Sequence, residues 1–300
     1  MPFMIRIRFF IAILALLAVQ HSVGAQDETP LLDELITKGI FIPETNSYLK
    51  FPAPTMRSGM TEAEQRKAIA DLEGDDNIDR LLKNSVVSPM ILKIGSVLDL
   101  PNQGHIQQVD LSFVAYGKIS DIEDKKLFEE LAMPAKKKFK GLPEEVRELT
   151  PDEIKSRNLV IGKKPDGSQV SYGVLKTNVL DKVYVTGITY SQGFRGKDFL
   201  TMAFRLEPKL KDDNLFPTQW SNLKEDPNGA AVLGDPNSFS VAAAYSKVTS
   251  LAIEGEPLFV EIHLVYAEPF GWFGGRNQLR SKLPPLLQDS VRTFRRKLMQ

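Results

Sequence analysis

The alternation of hydrophobic and polar positions predicts a chain rich in β-strands. In one segment Val109, Leu111 and Phe113 alternate with Asp110 and Ser112. This is the period of two expected of a half-buried strand. Similar runs recur in the second half of the chain, separated by turn-forming residues. The predicted strands cover residues 90–100, 106–117, 159–162, 169–179, 182–192, 199–206, 239–253 and 258–267.

Helical signals precede, interrupt and follow these strands. Thr29 can cap a helix that begins with Pro30, because proline suits the first helical position. Thr61 and Thr150 each stand three residues before a glutamate, which is the spacing of a capping box. The predicted helices cover residues 30–38, 61–72, 77–83, 119–131, 151–157 and 286–299.

Two segments are predicted to lack regular structure. Residues 41–54 contain Pro43, Pro52 and Pro54, and proline cannot donate the hydrogen bond that a central strand needs. We therefore predict an extended segment there. Residues 207–237 are rich in proline, asparagine, aspartate and glycine, and this composition predicts a long loop.

The order of the elements predicts the fold class. Helices and a first hairpin come before an antiparallel meander, and a helix closes the chain, which favours an α+β fold over alternating βαβ units. The closing helix is amphipathic, and such a helix needs an apolar surface to cover. We predict that this C-terminal helix packs on the meander in a helix-grip arrangement, with a pocket where the two do not meet. Its apolar stripe consists of Leu287, Val291, Phe294 and Leu298.

Composition divides the chain into three parts. Residues 1–25 form a leader, residues 26–60 an extended segment with a short helix, and residues 61–300 a single α+β domain. The change to strand-rich composition near residue 158 is the candidate for a boundary inside that domain.

The leader has the three features of a secretory signal. Arg6 and Arg8 supply positive charge, and an apolar run follows over residues 9–19. Val23 and Ala25 then provide the small residues that a signal peptidase reads. The apolar run is shorter than the roughly 20 residues that span a bilayer. We therefore predict cleavage after Ala25 and export to the periplasm or the medium, with an uncleaved membrane anchor as the alternative.

Composition also excludes several classes of function. The chain has 38 basic and 38 acidic residues, and this balance does not suit a nucleic-acid-binding protein. The lack of cysteine excludes disulfides, thiolate metal sites, cysteine nucleophiles and lipid attachment through cysteine. Outside the leader only His105 and His263 remain, and two distant histidines do not predict a zinc site. We therefore predict neither a metal nor a cofactor.

His263 is the best candidate for acid–base chemistry. Alternation along its strand places His263 on the same face as Glu261, and a nearby carboxylate can orient an imidazole for general-base catalysis. The sequence has no Gly-x-Ser-x-Gly motif to supply a nucleophile. The pair also fits a polar column on a solvated sheet face. A non-enzymatic role is favoured, and an enzymatic one stays open.

A second candidate site is the loop that contains Phe270, Trp272, Phe273 and Arg276. The loop is rich in glycine but lacks the spacing of a phosphate-binding motif. Exposed apolar patches tend to mark contact sites. Three interpretations remain: a plug folded under the closing helix, a lip over a pocket, or a tip that touches a membrane.

The closing segment, residues 276–300, is strongly basic and has Asp289 as its one acidic residue. Cations late in a helix complement its dipole. Basic residues opposite an apolar stripe also suit a peripheral contact with an anionic membrane. We favour the structural role, because the stripe already has a sheet to cover.

Three functions are compatible with these features. The leading hypothesis is an exported, non-enzymatic binding or envelope-associated protein that holds a hydrophobic or lipid-like ligand between the sheet and the C-terminal helix. The second is an exported hydrolase that uses His263 with Glu261. The third is a structural or assembly protein at the cell surface, which would contact an envelope protein through the aromatic loop or residues 207–237.

Overall fold

A computed structural model describes residues 29–73, 78–100, 104–122, 139–275 and 278–299. The predicted leader, most of the predicted helix over residues 119–131, and Arg276 lie outside the described residues. The helices are α1 (Pro30–Thr37), α2 (Glu62–Glu73), α3 (Ile78–Leu81), α4 (Ile119–Ile122), α5 (Pro151–Ser156) and α6 (Gln278–Leu298). The strands are β1 (Ile40–Ile42), β2 (Ser47–Leu49), β3 (Met90–Leu100), β4 (Gly104–Ala115), β5 (Glu145–Glu148), β6 (Gly162–Lys163), β7 (Gln169–Val179), β8 (Val183–Arg195), β9 (Phe199–Leu206), β10 (Gln219–Glu225), β11 (Ala231–Leu233), β12 (Asn237–Ser238), β13 (Ala242–Ser250) and β14 (Leu258–Pro269).

One large antiparallel sheet contains β3 to β14. Its strands follow the order β3-β4-β14-β13-β9-β8-β7. One edge of β8 pairs first with β10 and then with β9. β11 and β12 pair with β10, and β5 and β6 pair with β7, all antiparallel. The predicted α+β class with a large antiparallel sheet is therefore confirmed, and the first hairpin, β3–β4, joins the sheet beside the last strand.

The register of the strands gives the sheet two faces of different character, because successive side chains point to opposite sides. α6 covers one face, on which Phe294 meets Phe113 edge-on with 5.6 Å between ring centroids. We call this the C-helix face. The N-terminal segment crosses the other face, where the Tyr245 hydroxyl donates to the Pro52 carbonyl oxygen at 2.8 Å. We call this the N-segment face. The C-helix face includes Val109, Phe113, Phe204, Ala244 and Leu264, and the N-segment face includes Asp110, Arg205, Tyr245, Glu261 and His263.

The closing helix α6 begins earlier than predicted. Pro284 and Pro285 lie inside the helix rather than before it, so the predicted start at residue 286 was wrong. Proline removes a backbone donor and usually ends a helix. Leu279 and Leu283 are buried in the main core together with the predicted stripe. Burial of the longer stripe on the sheet compensates for the hydrogen bonds that the prolines cannot donate.

The N-terminal segment contains short strands where we predicted only extended chain. β1 and β2 pair with each other in a separate hairpin, and Pro43 begins a 3₁₀ turn between them. The segment thus contributes no strand to the large sheet. The predicted cap of α1 is confirmed, because the Leu32 N–H donates to Thr29 Oγ1 at 3.1 Å.

The prediction of a loop over residues 207–237 was wrong for the middle of that segment. The segment contains β10 and β11, and it reaches β12. Trp220 and Leu223 of β10 are buried. The proline, asparagine and aspartate residues around β10 hid a short strand that pairs with the first half of β8. Tertiary pairing outweighs local composition here.

Arg295, in the last turn of α6, is buried rather than exposed to solvent. Its guanidinium donates to the Val114 carbonyl oxygen at 2.8 Å and to the Pro89 carbonyl oxygen at 2.8 Å. The carbonyl oxygens of Val86 and Ser88 accept further hydrogen bonds from it. Burial lowers the pKa of Arg295 to about 10. This basic residue therefore fastens α6 to β4 and to the loop before β3.

Candidate functional site

His263 lies on the N-segment face with Glu261 two residues before it, as alternation predicted. Neighbouring strands bring in three side chains that the sequence did not single out. Asp110 and Tyr245 are the register partners of His263 on β4 and β13. Lys247 is the register partner of Glu261. We call these five residues the His263 cluster, and all of them except Asp110 are buried.

The imidazole of His263 is held between two carboxylates. Its Nδ1 lies 2.7 Å from Asp110 Oδ1, and its Nε2 lies 3.8 Å from Glu261 Oε2. The Tyr245 ring stacks on the imidazole with 4.7 Å between ring centroids. Burial opposes protonation, but the two carboxylates outweigh it and hold the pKa of His263 above its ordinary value. The imidazole is therefore suited to carry a positive charge in the folded protein.

Residues 50–56 cross the cluster as a strap of irregular chain. The Thr55 N–H donates to Glu261 Oε2 at 2.8 Å, and the Met56 N–H approaches Glu261 Oε1 at 3.5 Å. Glu261 is fully buried. The carboxylate thus joins the strap on one side to the imidazole on the other.

This geometry suits a structural role, in which Glu261 holds the strap on the sheet, better than general-base catalysis. A general base needs a nitrogen within reach of a substrate proton. Nδ1 of His263 is within hydrogen-bond distance of Asp110. Nε2 is buried 3.8 Å from Glu261, without a hydrogen-bond partner among the described residues, and the strap is bonded to that carboxylate. The arrangement of the pair therefore gives the hydrolase hypothesis no support.

We expect the stability of the protein to fall as the pH rises through the pKa of His263. A histidine whose pKa is raised on folding binds its proton more tightly in the folded state. Its contribution is fully present below the ordinary pKa of about 6.5 and is lost as the pH passes the raised value. The urea midpoint, measured from about pH 6 to about pH 9, should therefore decrease.

His263→Gln is the comparison for this experiment, because glutamine does not titrate and keeps a donor for Asp110. The midpoint of this variant should change less over the same pH range. Burial also raises the pKa of Glu268, so titration of this carboxyl also lowers the stability as the pH rises. The comparison is therefore made between the two proteins, and equal pH dependence in both would exclude His263 as the cause.

The aromatic loop is turned mostly inward. Trp272 and Phe273 are buried, with 2% of the Trp272 surface exposed, whereas Phe270 is 69% exposed. Trp272 meets Trp220 edge-on at 6.2 Å and stacks on Phe239 at 5.7 Å between ring centroids. Trp272 and Phe273 therefore fill part of the core, and Phe270 is the aromatic side chain that a ligand or partner can reach.

A cavity of about 500 Å³ opens beside Phe270. Its lining combines apolar side chains with amides and hydroxyls, and it lies where β14 ends and the chain turns toward α6. The lining includes Leu100, Trp220, Asn222, Asn237, Ser240 and Pro269.

No helix in the described part of the chain has the length and hydrophobicity needed to cross a bilayer.

Two polar side chains are buried on the C-helix face. Glu268 lies near the end of β14, and Gln107 lies on the neighbouring β4. Among the described residues, Glu268 Oε2, Gln107 Oε1 and Trp272 Nε1 have no hydrogen-bond partner. Burial raises the pKa of Glu268, against the opposing effects of His105 and Gln107. Native interiors leave few polar atoms unpaired, and bound molecules or waters are their usual partners.

Sequence reasoning did not single out Glu268 or Gln107. The signal that could have found them is alternation, because Leu264, Tyr266 and Glu268 share one face of their strand. A glutamate that continues an apolar row is unusual, since carboxylates are almost never fully buried unless paired.

The middle of the C-helix face carries small side chains. α6 contacts β3 and β4, toward one side of the sheet, whereas the small side chains lie on β8 and β13. Phe204 and Met202 of β9 stand between these two strands on the same face. The result is a layer of alternating large and small side chains, some of which bear hydroxyls. The small residues are Gly187, Ser191, Gly193, Ala242, Ala244 and Ser246.

Comparison with known proteins adds one similarity. No family model and no curated protein matches the sequence. Among solved structures, human STARD10 is similar to this chain, with a TM-score of 0.34 and 9% sequence identity over 81% of this chain and 84% of that chain. With so low a TM-score, we draw no conclusion about function from this similarity.

Proposed function

We propose that the protein is a non-enzymatic binding protein that holds an apolar small molecule with a polar end between the sheet and α6. The observation that carries this proposal is that two buried oxygen atoms on the C-helix face, Gln107 Oε1 and Glu268 Oε2, have no hydrogen-bond partner among the described residues. Leaving a buried polar atom unpaired costs about 1–3 kcal/mol. A hydroxyl or other donor of a ligand would remove that cost.

The rest of the C-helix face supports the apolar part of such a ligand. Its small side chains lie on β8 and β13, away from the strands that α6 contacts, and we propose that the apolar part of the ligand lies against them. The cavity beside Phe270 lies at the end of the sheet from which α6 departs, and we propose it as the entrance. Sites of this kind are mostly apolar with a few placed polar groups.

We further propose that the protein works outside the cytoplasm, on the strength of the secretory features of residues 1–25. Lys282 and Arg296 of α6 are exposed. They are available for a peripheral contact with an anionic membrane surface or with an envelope protein.

Native mass spectrometry of the protein, purified from cells that express the full chain, tests the ligand proposal. We expect a mass above that of the polypeptide and an apolar molecule in the organic extract. Ala244→Phe should release this molecule, because Ala244 is buried in the middle of the C-helix face. The variant should lose less than about 1 kcal/mol of stability, since the proposal requires space at this position for the apolar part of the ligand.

Ala203→Phe is the matched control. Ala203 lies on the adjacent strand but on the opposite face, as the register partner of Tyr245. This variant should keep the ligand and lose about 1–3 kcal/mol through overpacking. A ligand-free wild-type protein, together with equal destabilisation by the two substitutions, would show a solid layer and overturn the proposal.

A further inference from the structure

A second cavity, of about 600 Å³, lies on the N-segment face between the start of α1 and strands β7 to β9. It is on the opposite side of the sheet from the proposed ligand layer. Its volume falls within the range of small-molecule sites, roughly 300–1,000 Å³. The lining mixes apolar and polar side chains, and the polar ones include Glu34, Lys164, Tyr172, Tyr190, Arg205 and Glu207.

Two tyrosines form the floor of this cavity. Tyr172 and Tyr190 are register partners on β7 and β8, with 5.2 Å between ring centroids. Burial raises the pKa of both phenols, so both hydroxyls stay protonated at neutral pH. Gln192 Nε2 donates to the Tyr190 hydroxyl, and Gln192 Oε1 accepts from the Leu31 N–H at 2.9 Å. The floor is thereby joined to the first turn of α1.

Arg205 forms one wall of the cavity. Its guanidinium lies 5.7 Å from the centre of the Tyr190 ring, and Nη1 donates to Glu34 Oε1 at 2.9 Å. Its Nε is buried and has no hydrogen-bond partner in the described part of the chain. The protein therefore satisfies the guanidinium of this cavity-lining side chain only in part.

The lining has an excess of positive charge. Arg157 lines the cavity, but Asp213 neutralises it at 2.7 Å. Lys164 and Lys209 also line the cavity, and neither forms an ion pair with another described residue. Glu207 is the remaining carboxylate of the lining, so the two lysines outweigh it.

We propose that this cavity binds an acidic sugar, such as a uronic acid. A sugar ring has a face of C–H groups that packs on tyrosine rings, and its hydroxyls suit the carboxylate acceptors and the arginine donor. The acid group would meet the excess charge of Lys164 and Lys209, and charge-assisted hydrogen bonds are roughly twice as strong as neutral ones. A bare anion would make no use of the tyrosine pair. This binding would be independent of the ligand between the sheet and α6.

Isothermal titration calorimetry of the full chain with glucuronate, glucose and inorganic phosphate tests this site. We expect glucuronate to bind, and glucose and phosphate to bind about tenfold more weakly or worse. The double variant Lys164→Gln/Lys209→Gln should weaken glucuronate binding about tenfold. Tyr172→Ala should weaken the binding of both sugars.

Lys182→Gln/Lys224→Gln is the matched control, because both lysines are exposed and lie outside the lining. This variant should bind glucuronate as the wild-type protein does. Thermal unfolding of each variant checks that the fold is kept. Tighter binding of a glucuronate disaccharide than of the monomer would indicate the end of a polysaccharide as the source, and weaker binding would indicate the free acid.

Two results would overturn the assignment. Phosphate that binds as tightly as glucuronate, with both lost in the Lys164→Gln/Lys209→Gln variant, would show a simple anion site. Absence of glucuronate binding, or binding that this variant leaves unchanged, would exclude the cavity as an acidic-sugar site.

Discussion

Replacement of Glu261 by alanine is expected to lower the free energy of unfolding by about 3–5 kcal/mol. Glu261 is fully buried and contacts both His263 and the strap. Its loss leaves the imidazole with one carboxylate partner and leaves the Thr55 N–H without its acceptor. Urea denaturation measures the change, and the m-value shows whether the folded state stays compact.

Glu254→Ala is the control for this experiment, because Glu254 is exposed on a turn before β14. That variant should stay within about 0.5 kcal/mol of the wild-type protein. A Glu261→Ala protein as stable as the control would mean that the strap is not held by this carboxylate. Limited proteolysis within residues 50–56 gives a second measurement, because a released strap should be cut faster.

Trp272→Ala is expected to cost about 3–5 kcal/mol of stability, whereas Phe270→Ala should change it by less than about 0.5 kcal/mol. The two side chains belong to one loop but differ in burial, since Trp272 packs on Trp220 and Phe239 and Phe270 is mostly exposed. Thermal and urea unfolding of both variants measure the difference.

The same pair of variants separates a structural role of the loop from a contact role. If Phe270 lines the entrance to the ligand layer, Phe270→Ala should alter ligand uptake while the fold is unchanged. Equal stability of the Trp272→Ala and wild-type proteins would contradict the packing of Trp272 in the core. It would reopen the interpretation of the loop as an exposed contact tip.

Sequence signals that depend on nearby residues were sufficient to predict many of the helices and strands. The Thr61 N–H donates to Glu64 Oε2 at 2.8 Å, and Thr150 forms the second predicted capping box. Residues 169–179 and 199–206 form strands with the predicted bounds. In each case the determinant is a local spacing of side chains, which a single sequence displays.

Contacts between distant parts of the chain could not be read from the sequence. Asp110 meets His263 across 153 positions, because β4 pairs with β14, and neither strand specifies that pairing by composition. Alternation therefore found Glu261 as a neighbour of His263 but missed Asp110. The Thr55 N–H was also missed, since a backbone donor has no sequence signature.

The attachment of α6 to the first hairpin has a consequence for the order of folding. Arg295 bonds to Val114 across 181 positions, and β14 pairs with β4. Contacts so remote in sequence form slowly, because a long loop must close before they can stabilise the structure. Until residues 258–298 are in place, β4 lacks its second neighbour and the C-helix face lacks its cover. During synthesis the earlier strands therefore expose a strand edge and apolar surface until these residues are added, and this surface is prone to aggregation in that interval.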